Sequence, residues 1–125
     1  MKSSWKIHKG VRIFHFDLSD FGLDDDGIIA ECDAADAVIM AEPKNSVLCL
    51  NDVRNTAGSS MEVIKHLQLS AERSSPYINR AAVIGLTGAK LFALQLVNRF
   101  SKHPIINFED FESAADHLVE DLVTE

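Results

Sequence analysis

The chain has 125 residues, 46% of them hydrophobic and 25% charged, and a formal net charge of −7. That length suits one domain with its own core, and the composition is that of an ordinary globular protein rather than a disordered or fibrous one. The acidic balance, with 12 Lys and Arg scattered and no basic stripe, argues against a nucleic-acid partner, because a phosphate backbone is held mainly by clustered cations.

In chain order, residues 5–8 suggest an edge strand, turned at Lys9-Gly10 into a full strand over residues 11–18. Val11, Ile13 and His15 share one side of that strand, and Arg12, Phe14 and Phe16 the other. Both sides are largely apolar, as in a strand covered on both faces. Residues 17–27 form an acidic, turn-rich link. Its Asp24-Asp25-Asp26 run lacks the alternate spacing of a calcium loop and is expected to cap a helix instead. That helix covers residues 27–41, with Ile28, Cys32, Ala35 and Ile39 on one stripe and Glu31, Asp33 and Asp36 facing away. Pro43 ends it. A second core strand spans residues 46–53 and carries Asp52 at its C-terminal end, the edge where open α/β sheets bind ligands.

Arg54 to Ser60 form a loop, and Ser59 with Glu62 matches a capping box for the next helix. Val63, Ile64, Leu67 and Ala71 are its expected buried face. The apolar run at residues 81–84 then reads as a buried strand, followed by Gly85-Leu86-Thr87-Gly88-Ala89-Lys90 and a helix pattern to Phe100. The glycine-spaced turn matches neither a Walker A loop nor a dinucleotide fingerprint, yet it could present backbone N–H groups to an anion. The following helix is apolar nearly all round, which suggests a partner, with Phe92, Leu96 and Arg99 as interface candidates for a homodimer or another protein. Residues 105–108 form a last strand, and Phe111, Ala114, Ala115, Leu118 and Leu122 pattern a last helix with Asp110 as N-cap.

The expectation is therefore one α/β domain over residues 1–125, a mainly parallel sheet of four to five strands with four helices. Pro76-Tyr77, Arg80, the Ala82-Val83-Ile84-Gly85 strand, the strand ending in Asp52 and the Phe108 to Leu118 stretch together resemble the SpoIIAA-like proteins, over residues 11–122. The resemblance implies the fold of the STAS domain, akin to Sec14 lipid-transfer proteins. It also implies a regulatory, protein-binding role, with Ser59 and Ser60 as phosphorylation candidates. Gly58 precedes that pair and Met61 follows it, where the family pattern has an aspartate and a glycine.

The expected function is a non-catalytic interaction module. The alternative is a small-molecule or lipid-binding domain, its apolar or anionic ligand seated at the C-terminal sheet edge near Asp52, Asn55, Thr56, Gly85, Thr87, Gly88 and Lys90. No cofactor or metal is expected: the five histidines show no metal-ligand spacing, and there is no nucleophile elbow. Cys32 and Cys49 are expected to be buried free thiols. The absence of a secretory leader pattern and of a ~20-residue apolar run makes a cytoplasmic protein the default expectation.

Overall fold

The computed structural model describes residues 1–56, 60–87 and 105–122. The elements are β1 (Ser4–His8), β2 (Val11–Asp17), α1 (Asp25–Met40), β3 (Val47–Asp52), α2 (Met61–Ser74), a 3-10 turn (Ser75–Tyr77), β4 (Ile78–Ile84), β5 (Ile106–Phe108) and α3 (Phe111–Leu118). The helix expected over residues 90–100, with Phe92, Leu96 and Arg99, lies outside the described residues, as do Ser59, Gly88 and Lys90.

The strands form a single sheet in the order β1-β2-β3-β4-β5. Lys9 (φ 50°) and Gly10 (φ 81°) turn β1 back on β2, since positive φ at both loop positions matches the twist of an antiparallel hairpin. The pairs β2–β3, β3–β4 and β4–β5 are parallel, so the sheet is mixed rather than uniformly parallel. Side chains alternate across it. Phe14, Phe16, Val47 and Cys49 pack against Ile28, Cys32, Ala35 and Ile39 of α1 and Val63 of α2. Ile13, Leu48, Leu50, Ala82 and Ile84 pack on the other side against Ala114, Ala115 and Leu118 of α3. Cover on both faces is why β3 is an unbroken apolar run from Val47 to Leu50.

Three helix expectations need correction. Glu31 and Asp36, read as solvent-facing, are buried. The Glu31 carboxylate accepts the backbone N–H groups of Lys2 (3.0 Å) and Ser3 (2.9 Å). Burial alone would raise its pKa, but the bonds from Ser3 and Lys2 outweigh that and hold it below the ordinary value. Asp36 accepts Ser70 Oγ (2.8 Å) and Arg73 Nε (2.7 Å), and so joins α1 to α2.

The second correction is the start of α2. Ser60, not Ser59, is its N-cap and accepts the Val63 N–H at 3.2 Å. Three residues beyond Ser60 stands Val63, so no capping box forms. The inward stripe of α2 is also different: Val63, Ser70 and Ser74 are buried and Leu67 half-buried, while Ile64 and Ala71 are exposed. Two serines on the inner face broke the apolar pattern. The third correction is α3, which is capped by Asp110 as expected but ends at Leu118, leaving Leu122 outside it and exposed.

Cys32 and Cys49 are both fully buried and unpaired. Burial, with the nearby Asp36 carboxylate second, pushes each thiol up to about 12. Near pH 8 their thiolate fraction should be roughly a thousandfold below that of free cysteine. Native protein mixed with a chromogenic aromatic disulfide should therefore show no fast reaction, and two thiols per chain should react once denaturant is added. Fast labelling of the native protein would contradict this burial.

Candidate functional site

Two features stand out, one at the C-terminal edge of the sheet and one on the face that carries α2. At the edge, the parallel register sets Asp17 of β2 beside Asp52 of β3, with Ile84 of β4 on the far side. Asp52 is 0% exposed. Its Oδ1 accepts Arg54 Nε at 2.9 Å and the Arg54 backbone N–H at 3.2 Å. Its Oδ2 accepts the other Arg54 nitrogen at 2.8 Å and His15 Nε2 at 3.0 Å. A carboxylate has no proton to give, so His15 donates through Nε2. The His15 ring meets Phe111 edge-on, with centroids 5.2 Å apart, which ties the network to α3.

Burial pushes the Asp52 carboxyl upward, but the bonds from His15 and Arg54 override it and hold the group well below the usual carboxylate range. The same pairing raises Arg54. His15, Asp17 and Asp52 bring ligand atoms within 4.8 Å of one another, a spacing that a divalent cation could use. Both Asp52 oxygens already hold Arg54 or His15, and Asp17 Oδ1 accepts the Ser19 N–H at 3.0 Å. With a guanidinium clamped onto its central ligand, the cluster fits a closed ionic network better than a cation.

The sequence candidates at this edge hold loops together. The links Leu18 N–H to Asp52 O (2.8 Å), Asp20 N–H to Arg54 O (2.8 Å) and Gly22 N–H to Asn55 O (3.0 Å) extend the β2–β3 pairing beyond the sheet. Thr56 Oγ1 donates to Leu18 O and accepts the Phe21 N–H at 3.1 Å, and Asn55 Nδ2 donates to Asp20 at 2.9 Å. Gly85, at φ +95°, runs against the backbone of Arg54. Thr87 is exposed, outside this network. The structure thus unites Asp52 with Gly85 through Arg54, which the sequence reading passed over. An arginine two residues beyond the strand-end aspartate was the signal that could have revealed it.

The second feature is a cleft of about 540 Å³ between α2 and the β3–β4 surface. Phe16, Cys49 and Val83 form its floor, and Leu67, Ser70 and Ser74 of α2 form a wall. Asp52, Asn55, Thr56, Gly85 and Thr87 do not line it. The expected ligand residues and the actual cleft therefore occupy different places, one the strand ends and the other a sheet face.

No protein-family model and no curated protein matches the sequence. Among solved structures, the fold is similar to an uncharacterised protein of the DUF3478 family, with a SpoIIAA-like fold, from Shewanella loihica PV-4. The TM-score is 0.71 at 16% sequence identity, over 93% of this chain and 91% of that one. At that identity the likeness is one of fold: this chain has a SpoIIAA-like α/β fold. Among the described residues, no helix is long and apolar enough to cross a membrane.

Proposed function

We propose that this domain is a non-catalytic binding module for a small apolar molecule, held between α2 and the β3–β4 surface. The observation that carries the reading is the cleft itself. Its volume of about 540 Å³ falls within the ~300–1,000 Å³ of small-molecule sites, which are mostly apolar with a few placed polar groups. The non-catalytic part of the reading rests on the two thiols, both held protonated by burial and so poor nucleophiles. A reduced cytoplasmic setting fits a pair of buried free thiols.

Titration with a neutral environment-sensitive dye, such as N-phenyl-1-naphthylamine, tests this reading. Saturable, blue-shifted fluorescence is expected from the native protein. Ala71→Trp, at an exposed lining position of α2, should abolish it while leaving the circular dichroism unchanged. Absence of saturable binding, or equal binding by the variant, would overturn the proposal.

A second reading, docking of another protein or of a second copy, is favoured by exposed apolar side chains. Leu23 is 81% exposed and Met61 65%, with Ile64 one helical turn further along α2. Isolated exposed apolar residues are common, so this reading needs a complex to support it. A native mass spectrum separates the two: a dimer with no added mass favours docking, and a monomer carrying a small added mass favours the cleft.

A further inference from the structure

A separate surface lies at the β1 edge of the sheet, which contributes none of the described residues lining the cleft. Among the described residues β1 pairs with β2 alone. One side of its backbone is therefore open to a further strand. We infer that this edge binds an extended peptide segment whose residues alternate apolar and acidic, by adding it to the sheet through main-chain hydrogen bonds.

Side chains alternate along β1, so its two faces make different demands. On the α1 side, Trp5 packs on Phe14 with ring centroids 5.1 Å apart, and Arg12 lies over the Trp5 ring, 3.9 Å from its centroid. Ile7 stands next on that side and is 69% exposed. An apolar side chain of an added strand would cover it. On the α3 side stand Ser4, Lys6 and His8. His8 is held by Asp116 at 2.7 Å. Lys6 is exposed and has no ion-pair partner among the described residues. A carboxylate on the added strand would supply one.

Charge selects the occupant. The cations are spread along the chain, but the carboxylates are not: all 19 Asp and Glu lie at residue 17 or beyond, while Lys2, Lys6, Lys9 and Arg12 precede them. Other elements supply the partners of Lys9 (Asp116, 2.9 Å) and Arg12 (Glu42, 3.1 Å), and Asp17, at the far end of β2, lies 3.8 Å from Lys2. Up to Phe16 the hairpin itself carries only positive charge. A second copy would set β1 against β1, and Lys6 with its cationic neighbours against their own kind, which is unfavourable across a strand pair. A wholly apolar strand would leave Lys6 without a partner, which is how an edge lysine turns such strands away. An acidic and apolar strand answers both faces, with charge giving selectivity and the main-chain ladder giving affinity.

The test is fluorescence anisotropy at pH 7 and low salt, with a fluorescein-labelled peptide of alternating glutamate and valine. Saturable binding is expected, roughly tenfold tighter than for the same peptide with lysine in place of glutamate. A copy with methylated backbone amides keeps the charge but cannot form the ladder, and should bind roughly tenfold more weakly. Lys6→Glu and Ile7→Asp should each weaken the acidic peptide roughly fivefold. Both positions are exposed, so each variant should keep the native circular dichroism. Absence of saturable binding by the acidic peptide, or equal binding of its methylated copy, would overturn the proposal. Equal binding by Lys6→Glu, or of the lysine peptide, would overturn the selection of an acidic strand.

Discussion

Replacing Arg54 by alanine is expected to lower the unfolding free energy by about 3–5 kcal/mol, the usual cost of stripping the partner from a buried charge. The asymmetry of the pair sets that size. Asp52 is 0% exposed, while the Arg54 side chain is 45% exposed. Removing the exposed partner is the costly change, because it leaves a buried carboxylate with only His15 and the backbone N–H of residue 54. The reverse change, Asp52→Asn, leaves a guanidinium that water can reach, and should cost less. The double variant Arg54→Ala with Asp52→Asn should recover part of the loss, since no charge then remains buried. Urea midpoints read at unchanged slope measure all three. A loss under about 1 kcal/mol for Arg54→Ala would place the pair with ordinary surface salt bridges.

The pairing also fixes the sign of an acid response. The Asp52 carboxyl is held below its unfolded value, which is near 4 for a free aspartate. It therefore adds stability that is fully present above that unfolded value and is lost as pH falls toward the folded one. Arg54→Ala lets the folded carboxyl rise toward or past the unfolded value. The variant should lose that contribution and unfold at a higher pH than the native protein in an acid titration followed by circular dichroism.

How much of this was legible in the sequence depends on the range of the interaction that decides each residue. Local pattern sufficed for β2 and β3, for the Ile28, Cys32, Ala35 and Ile39 stripe, and for the Asp24 and Asp110 caps, each of which accepts an N–H three residues on. It failed for Glu31 and Asp36, since a charged residue reads as exposed unless its partner is known. Their partners lie 28 to 37 residues away, on the first residues and on α2. The α2 stripe was misread for the same reason: Ser70 is buried because Asp36 is there to receive its proton.

The site divides along the same line. Asp52 was legible because strand ends collect ligands in α/β sheets, but its function as the acceptor of His15 and Arg54 follows from strand order. His15 reaches it only because β2 lies next to β3 in register. The cleft was illegible altogether, being set by the spacing of α2 from the sheet. The same limit applies to Gly85, which looked like part of an anion-binding turn. What the fold asks of it is emptiness beside Arg54.

Gly85→Ala is accordingly expected to cost about 2–5 kcal/mol, combining roughly 1–2 kcal/mol for a side chain at positive φ with 1–3 kcal/mol for overpacking. The backbone sits at φ +95°, and an added Cβ would lie 2.7 Å from the Arg54 nitrogen and 2.8 Å from its Cα. Those atoms are backbone, so rotamer changes cannot relieve the contact. The Arg54 loop must move, and with it the N–H that Asp52 accepts at 3.2 Å. Gly10 supplies the control. It also has positive φ, at +81°, but an added Cβ there meets nothing within 4 Å. Gly10→Ala should show the conformational cost alone, about 1–2 kcal/mol. The difference between the two variants in urea melts then measures the contact with Arg54. If moving the Arg54 loop also weakens the Asp52–Arg54 pair, Gly85→Ala should cost less in the Arg54→Ala background by that coupling alone, since the positive-φ cost and the contact with the backbone of residue 54 remain. Equal costs in both backgrounds would show that Gly85 serves the turn and not the ion pair.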